Sequence, residues 1–325
     1  WLFMVALFLM GTHSTFFGPI KYSILPQLLA KDELVGGNGL FETGTSFATL
    51  GGMILGGTIM TIAGADYIWI SLTLLTIAVV GYLFSHEIPS QPVGHADLKI
   101  NWNVFVTTKQ TLQYASKLGD VSYTIIGISW FWYYGATFLT QIPVFTREVL
   151  QGTEGVVTLL LTIFSIGIAL GSLLCEHFAG KISQMKLVPI GAVGLTVSAV
   201  VLYLSTRGLV AHSDSQNMIE VLSQTQYWPV FLAFGCIGFF GGFYIVPLYA
   251  HLQSDSPESF RARVIAANSI MNALFMVVSS LVSVAVLSWL HWSIPELFLL
   301  TAILSAFVSI IVIKHLNTEP SIHIN

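Results

Sequence analysis

The sequence predicts an all-α protein that crosses a membrane many times. Three observations predict it: long apolar stretches, basic residues confined to alternate loops, and very little charge. The apolar stretches are Trp1 to Phe17, Leu34 to Ala63, Tyr67 to Phe84, Val121 to Phe145, Val156 to Phe178, Leu187 to Leu204, Trp228 to Leu248, Val264 to Leu290 and Ile294 to Ile313. At 1.5 Å rise per residue each is about long enough to cross a hydrocarbon core of about 30 Å. A polar insert at 85 to 119 separates three of these spans from six. A protein of two six-span halves gives this pattern when three spans are missing from its front. The expected organisation is therefore a partial half-bundle at 1–85, a cytoplasmic linker with a surface helix at 86–119, and a complete six-span half at 120–325.

Numbering the loops tests that count independently. One set of alternate loops collects Lys31, Lys99, Lys109, Lys117, Lys181, Lys186, Arg261, Arg263 and Lys314, the other only Arg147 and Arg207; Lys21 lies at the foot of the first span on the richer side. Basic loop residues stay cytoplasmic, and one missed helix would scramble the alternation. The C-terminus is thus expected in the cytoplasm and Trp1 on the far side. Hydrophobic residues make up 54% of the chain and charged ones 9%, well below the roughly 25% of a soluble domain. The net charge of −4 is spread over loops, which leaves no basic patch for nucleic acid. Cys175 and Cys236 lie inside apolar spans and read as small packing residues rather than a disulfide. No signal-peptide pattern precedes the first span. No cofactor, metal ligand or catalytic residue is assigned.

Taken in order, the first span carries His13 in a polar patch, where it reads as a satisfied core histidine or a proton relay. Pro19 and Pro26 are expected to break the helix around Lys21 and to free backbone carbonyls. Lys21 itself either snorkels to the interface or serves a cavity. The second span opens with Asn38 and Glu42, a polar pair on one helical face. A carboxylate inside the membrane is costly, so Glu42 is a substrate or gating candidate, with a structural bond to a neighbouring helix as the other reading. Gly51, Gly52, Gly56 and Gly57, like Gly167 and Gly171, have the small-residue spacing that lets helices approach closely. The insert from Asn101 to Lys117 suits a helix lying on the membrane surface.

In the fourth span the run Trp130-Phe131-Trp132-Tyr133-Tyr134 is too dense to face one way, so some rings are expected to face lipid and others a cavity, with helix packing as the other reading; Gln141 and Pro143 follow. Gly171, Glu176, Gly180 and Lys181 close the fifth span in a glycine-acid-glycine-basic pattern that would pin helix ends by charge and dipole contacts. A weak internal repeat relates the first two spans to the pair beginning at Trp228. Phe16-Phe17-Gly18 with Tyr22 to Pro26 echoes Phe239-Phe240-Gly241 with Tyr244 to Pro247, and Asn38 and Glu42 match Asn268 and Asn272.

On these residues the chain resembles the lysophospholipid transporters of the major facilitator superfamily. Phe17-Gly18-Pro19-Ile20-Lys21-Tyr22-Ser23-Ile24-Leu25-Pro26 and Asn38-Gly39-Leu40-Phe41-Glu42 are the most specific stretches; Phe164 to Gly171, Gly241 to Leu248 and Ala267-Asn268-Ser269 are commoner in the superfamily. The chain looks most similar to the branch in which the transporter is fused to an acyltransferase and an acyl-ACP synthetase (ligase). The resemblance implies the major facilitator fold, with spans four to twelve present. It implies a lysophospholipid substrate of the 2-acyl-glycerophosphoethanolamine type, moved from the outer to the inner leaflet of a bacterial inner membrane and then reacylated. It also implies cavity charges at Lys21 and Asp120, whereas the place of an arginine of the family is taken here by the apolar Leu139. With three helices absent, the segment is expected not to transport alone.

Two other classes remain. An exporter of hydrophobic compounds from the same superfamily would use similar apolar walls. An acyltransferase of the fused type needs His and Asp separated by four residues so that the carboxylate orients the base; the nearest spacing, His251 to Asp255, has three.

Overall fold

A computed structural model describes residues 1–63, 67–90, 102–179, 184–210 and 215–316. Its α-helices are α1 (Leu2–Leu28), α2 (Leu34–Ala63), α3 (Tyr67–Ser85), α4 (Val104–Ala115), α5 (Asp120–Glu148), α6 (Glu154–Ala179), α7 (Leu187–Thr206), α8 (Met218–Ser223), α9 (Trp228–Asp255), α10 (Arg261–Val284) and α11 (Ile294–Leu316). All but α4 and α8 have the length of a membrane span. Six of them, α3, α6, α7, α9, α10 and α11, also reach a mean hydropathy of 1.9 to 2.5. The other three, α1, α2 and α5, carry Lys21, Glu42 and Asp120. Outward-facing side chains such as Phe8, Leu75, Val193, Leu281 and Phe307 are all more than half exposed, a surface suited to lipid and not to water.

Helices α5, α6, α7, α9, α10 and α11 pack into one bundle, and α1 and α2 lie against it through α6, α9 and α10; α3 touches chiefly α2. The bundle core is aromatic. Phe138 of α5 stacks on Phe298 of α11 at 4.2 Å, and Phe145 meets Phe234 of α9 edge-on at 5.7 Å. All four rings are fully buried, and offset or edge-on pairs add about 0.5–1.5 kcal/mol each beyond area burial. Helices α6 and α9 run backbone to backbone. A Cβ at Gly171 would overlap the Phe239 carbonyl, and one at Gly238 would overlap that of Phe164. Only glycine allows this approach.

Contacts define two ends of the bundle. At one end Tyr114 of α4 packs on Phe260 (4.9 Å) and under Arg263 (5.4 Å), and Tyr123 at the start of α5 stacks on His315 at the end of α11 (3.9 Å). Lys31, Lys109, Lys117, Lys186, Arg261, Arg263 and Lys314 belong to this end; Arg147 and Arg207 belong to the opposite one. There Gly152 bridges Gln216, and Arg147 pairs with Glu154 at 3.1 Å. Lys99 and Lys181 lie outside the described residues.

Several expectations need correcting. The first span does not stop at Phe17, and Pro19 and Pro26 do not break it: α1 continues through both to Leu28. Losing one ladder hydrogen bond per proline is tolerated where neighbouring helices supply partners. Gly51, Gly52, Gly56 and Gly57 meet nothing within 4 Å among the described residues, so their spacing brings no helix close in this chain. In the aromatic run no ring is fully outward: Trp130, Tyr133 and Tyr134 are buried, and Phe131 and Trp132 are half-buried. Helix α5 packs against α6, α9, α10 and α11. His13 is exposed and stacks on Phe17 at 6.2 Å, so it is not a core histidine. Both cysteines are free. The surface helix forms as α4, capped by Asn103, whose side chain accepts from the Val106 amide at 3.1 Å; Asn101 is outside the described residues.

Candidate functional site

Pro26 has no N–H, so the Tyr22 carbonyl lacks the donor that an α-helix normally provides four residues on. The Gln253 side chain supplies it: Nε2 donates to the Tyr22 carbonyl at 3.0 Å. The same amide pairs with Asn38, whose Nδ2 donates to Gln253 Oε1 at 2.6 Å and whose Oδ1 accepts from Gln253 Nε2 at 3.2 Å. Asn38 and Gln253 are completely buried. Three helices, α1, α2 and α9, thus meet in one hydrogen-bonded knot near the basic end.

One turn further along α2, Glu42 Oε1 accepts from the Tyr22 hydroxyl at 2.7 Å. Lys21 does not form an ion pair with Glu42 at contact distance. Its ammonium donates to Thr45 Oγ1 at 2.6 Å and lies 5.3 Å from the Phe41 ring and 5.2 Å from the Tyr22 ring. The faces of those rings attract a cation.

The Tyr22 ring stacks on Tyr249 of α9, centroids 4.2 Å apart, and so carries the patch across to the bundle. Tyr249 accepts from Trp132 Nε1 at 3.0 Å. With its amide turned to satisfy both ends, Asn272 donates to Ser129 Oγ (2.9 Å) and the Asn268 carbonyl (3.1 Å), and accepts from Trp132 and Asn268 (3.2 Å each). A continuous polar patch therefore runs from Lys21, Asn38 and Glu42 to Asn268 and Asn272. Sequence reasoning had not singled out Tyr22, Thr45, Gln253, Tyr249 or Ser129 as site residues. The missing N–H of Pro26 was the available signal for a partner to Tyr22, but not for its identity.

Asp120 is not brought into the patch. It opens α5 roughly 14 Å along the helix axis from Ser129, at 1.5 Å per residue. Gly171 serves the α6–α9 contact described above. Glu176, at the end of α6, places its carboxylate against the first turn of α2, where a Cβ at Gly36 would lie 2.6 Å from Oε1; a negative charge is favourable at that helix end. Gly180 and Lys181 lie outside the described residues. Two hollows lie away from the patch. One of 520 Å³ is apolar and sits on α7 and α9 around Val193 and Phe240; one of 280 Å³ lies between α5 and α10 beside Gln141 and Ser283.

A family model described as Major Facilitator Superfamily matches residues 1–211 and 142–323. The chain is similar to the Lysophospholipid transporter LplT of Escherichia fergusonii, at 26% identity over 286 residues covering 86% of this chain and 66% of that protein. It is also similar to the proteins of that name from Escherichia coli O1:K1 and Shigella sonnei, at 26% over 263 residues covering 78% of this chain and 59% of each. The chain thus spans 59% to 66% of the length of these curated relatives. These relatives are named as transporters, and the chain, with its long apolar helices, is a multi-pass membrane protein. With matches that together cover nearly all of its residues, the chain belongs to the Major Facilitator Superfamily.

Proposed function

We propose that the chain is the greater part of a transporter that moves lysophospholipids, of the 2-acyl-glycerophosphoethanolamine type, from the outer to the inner leaflet of a bacterial inner membrane. The polar patch carries this reading. An amphiphile needs a polar floor for its headgroup beside apolar walls for its chain, and Lys21, Glu42, Asn268 and Asn272 line a seam flanked by apolar helices. The likeness to transporters of lysophospholipid supports the substrate class. In this reading α1 to α3 belong to one half-bundle, α4 lies in the linker, and α5 to α11 include the six spans of the other half. The halves open alternately to either side. The basic end faces the cytoplasm, the C-terminus with it. Reacylation falls to an acyltransferase and an acyl-ACP synthetase, fused to the transporter or separate from it.

The protein from the complete reading frame, expressed in spheroplasts, is expected to move labelled 2-acyl-glycerophosphoethanolamine inward at a rate well above vector controls. Efflux of a hydrophobic dye with no lysophospholipid movement would instead make it an exporter. Orientation has a separate check. A cysteine at Glu258 should react only from the cytoplasmic side and one at Ser215 only from outside, both positions being exposed at opposite ends. Labelling of both from one side would break the topology.

A further inference from the structure

We infer that Gln253 is the latch that holds the basic end of the transport pathway shut, by bonding α9 to a carbonyl that Pro26 leaves without a partner. The inference rests on the reading of the chain as an alternating transporter, and it concerns how the pathway is gated rather than what is carried.

The bonds that close this end span elements far apart in the chain. Gln253 donates to Tyr22 of α1 at 3.0 Å and pairs in both directions with Asn38 of α2. Neither amide has any exposed surface, so no water competes for these bonds while the helices stay together. When α9 leaves α1 and α2, the Tyr22 carbonyl loses its donor and both amides lose a partner at once. An unpaired buried polar group is expensive, and the cost falls once water enters. The knot therefore favours either a fully closed or a fully wetted end over intermediates.

Tyr22 couples this latch to the substrate patch. Its carbonyl is held by Gln253, its hydroxyl donates to Glu42, and its ring stacks on Tyr249. A headgroup that displaces the hydroxyl from Glu42 acts on the same residue whose backbone the latch grips. Pro26 is what makes the latch separable from the helix: with any other residue at 26, the Tyr22 carbonyl would be satisfied within α1 whether the end was open or shut.

The test uses the complete protein with its native cysteines replaced and a reporter cysteine at Ser46, one turn beyond Glu42 on the same face of α2. A membrane-impermeant thiol reagent is applied from the side on which Glu258→Cys reacts. Gln253→Leu is expected to raise reporter labelling at least threefold. Gln253→Met, which keeps the length but has no hydrogen to donate to the carbonyl, should move it the same way. Pro26→Ala returns an N–H to the helix to compete with Gln253, and it too should raise labelling without removing a contact side chain. If Gln253→Leu fails to accumulate, the other two variants carry the test. In the reverse direction, cysteines at Asn38 and Gln253 joined by a short bis-thiosulfonate linker should lower reporter labelling from this side, and reductant should restore it.

Unchanged labelling in Gln253→Met and Pro26→Ala at normal abundance would overturn the latch and leave these residues as packing. Labelling that shifts as expected in a protein that moves no lysophospholipid would overturn the substrate assignment and keep the latch.

Discussion

Glu42→Gln in the complete protein is expected to lower lysophospholipid uptake roughly tenfold, the factor that about 1.4 kcal/mol of lost interaction gives, with abundance unchanged. The substitution is chosen because it isolates charge. Tyr22 donates to Glu42 Oε1 at 2.7 Å, and a glutamine oxygen accepts from the same hydroxyl in the same place. What disappears is the negative charge beside Lys21 on a helix crossing the membrane. Carboxylates in that setting are costly and are found facing cavities or partners. If Glu42 served only to tie α2 to α1, glutamine would keep the tie and uptake would stay normal. Uptake that falls only in step with protein abundance would likewise assign Glu42 a structural role. Uptake measured per molecule of folded protein separates these outcomes.

The helices and the gathering of basic loop residues at one end were legible because both depend on composition summed over many residues. Hydropathy marks a span even when one proline or lysine interrupts it. The contacts were less legible, since they depend on which helix arrives from elsewhere in the chain. Gly51 and Gly52 have the same local spacing as Gly167 and Gly171, yet they meet nothing within 4 Å among the described residues, whereas Gly167 and Gly171 meet the backbone of α9. Pro26 shows the same limit. The freed carbonyl could be read from the sequence, but the expectation of a broken helix was wrong because Gln253, more than two hundred residues away, supplies the donor. Gln253 itself lies beside His251 and Asp255, whose spacing drew attention as a failed enzyme motif; the two do approach, at 3.6 Å, as a pair on one turn of α9.

The sequence aligned Tyr22 with Tyr244; in the structure the tyrosine that stacks on Tyr22 is Tyr249, which also accepts from Trp132 Nε1 at 3.0 Å. One local signal went unused. Asn217 and Glu220 form a reciprocal cap on α8, with Asn217 Oδ1 accepting from the Glu220 amide (3.0 Å) and Glu220 Oε2 from the Asn217 amide (2.7 Å). The spacing of an asparagine and a glutamate three residues later marks such a helix start.

Lys21→Ala should reduce transport at least severalfold, with Lys21→Arg retaining part of it. The geometry sharpens the reason. In the structure the Lys21 ammonium bonds a neutral hydroxyl, that of Thr45, and rests near two aromatic rings; among the described residues no carboxylate is within ion-pair distance of it. Its charge is thus not cancelled by an ion pair, and an anionic phosphate entering the seam would meet a cation in partly dry surroundings. Attraction there exceeds its value in water severalfold. A gate between Lys21 and Asp120 is the weaker alternative, because Asp120 begins α5 well away from the Ser129 and Trp132 that reach the patch. Arginine keeps the charge but is bulkier and planar, so it should recover binding only in part. Lys21→Met separates charge from length: it fills the same space beside Phe41 and should fail as alanine does. The measurement is inward movement of labelled 2-acyl-glycerophosphoethanolamine in spheroplasts, normalised to folded protein. Normal transport by both Lys21→Ala and Lys21→Met would mean that the lysine only carries its charge to the membrane interface, and the headgroup would then have to be read by Glu42 and the asparagines of α10.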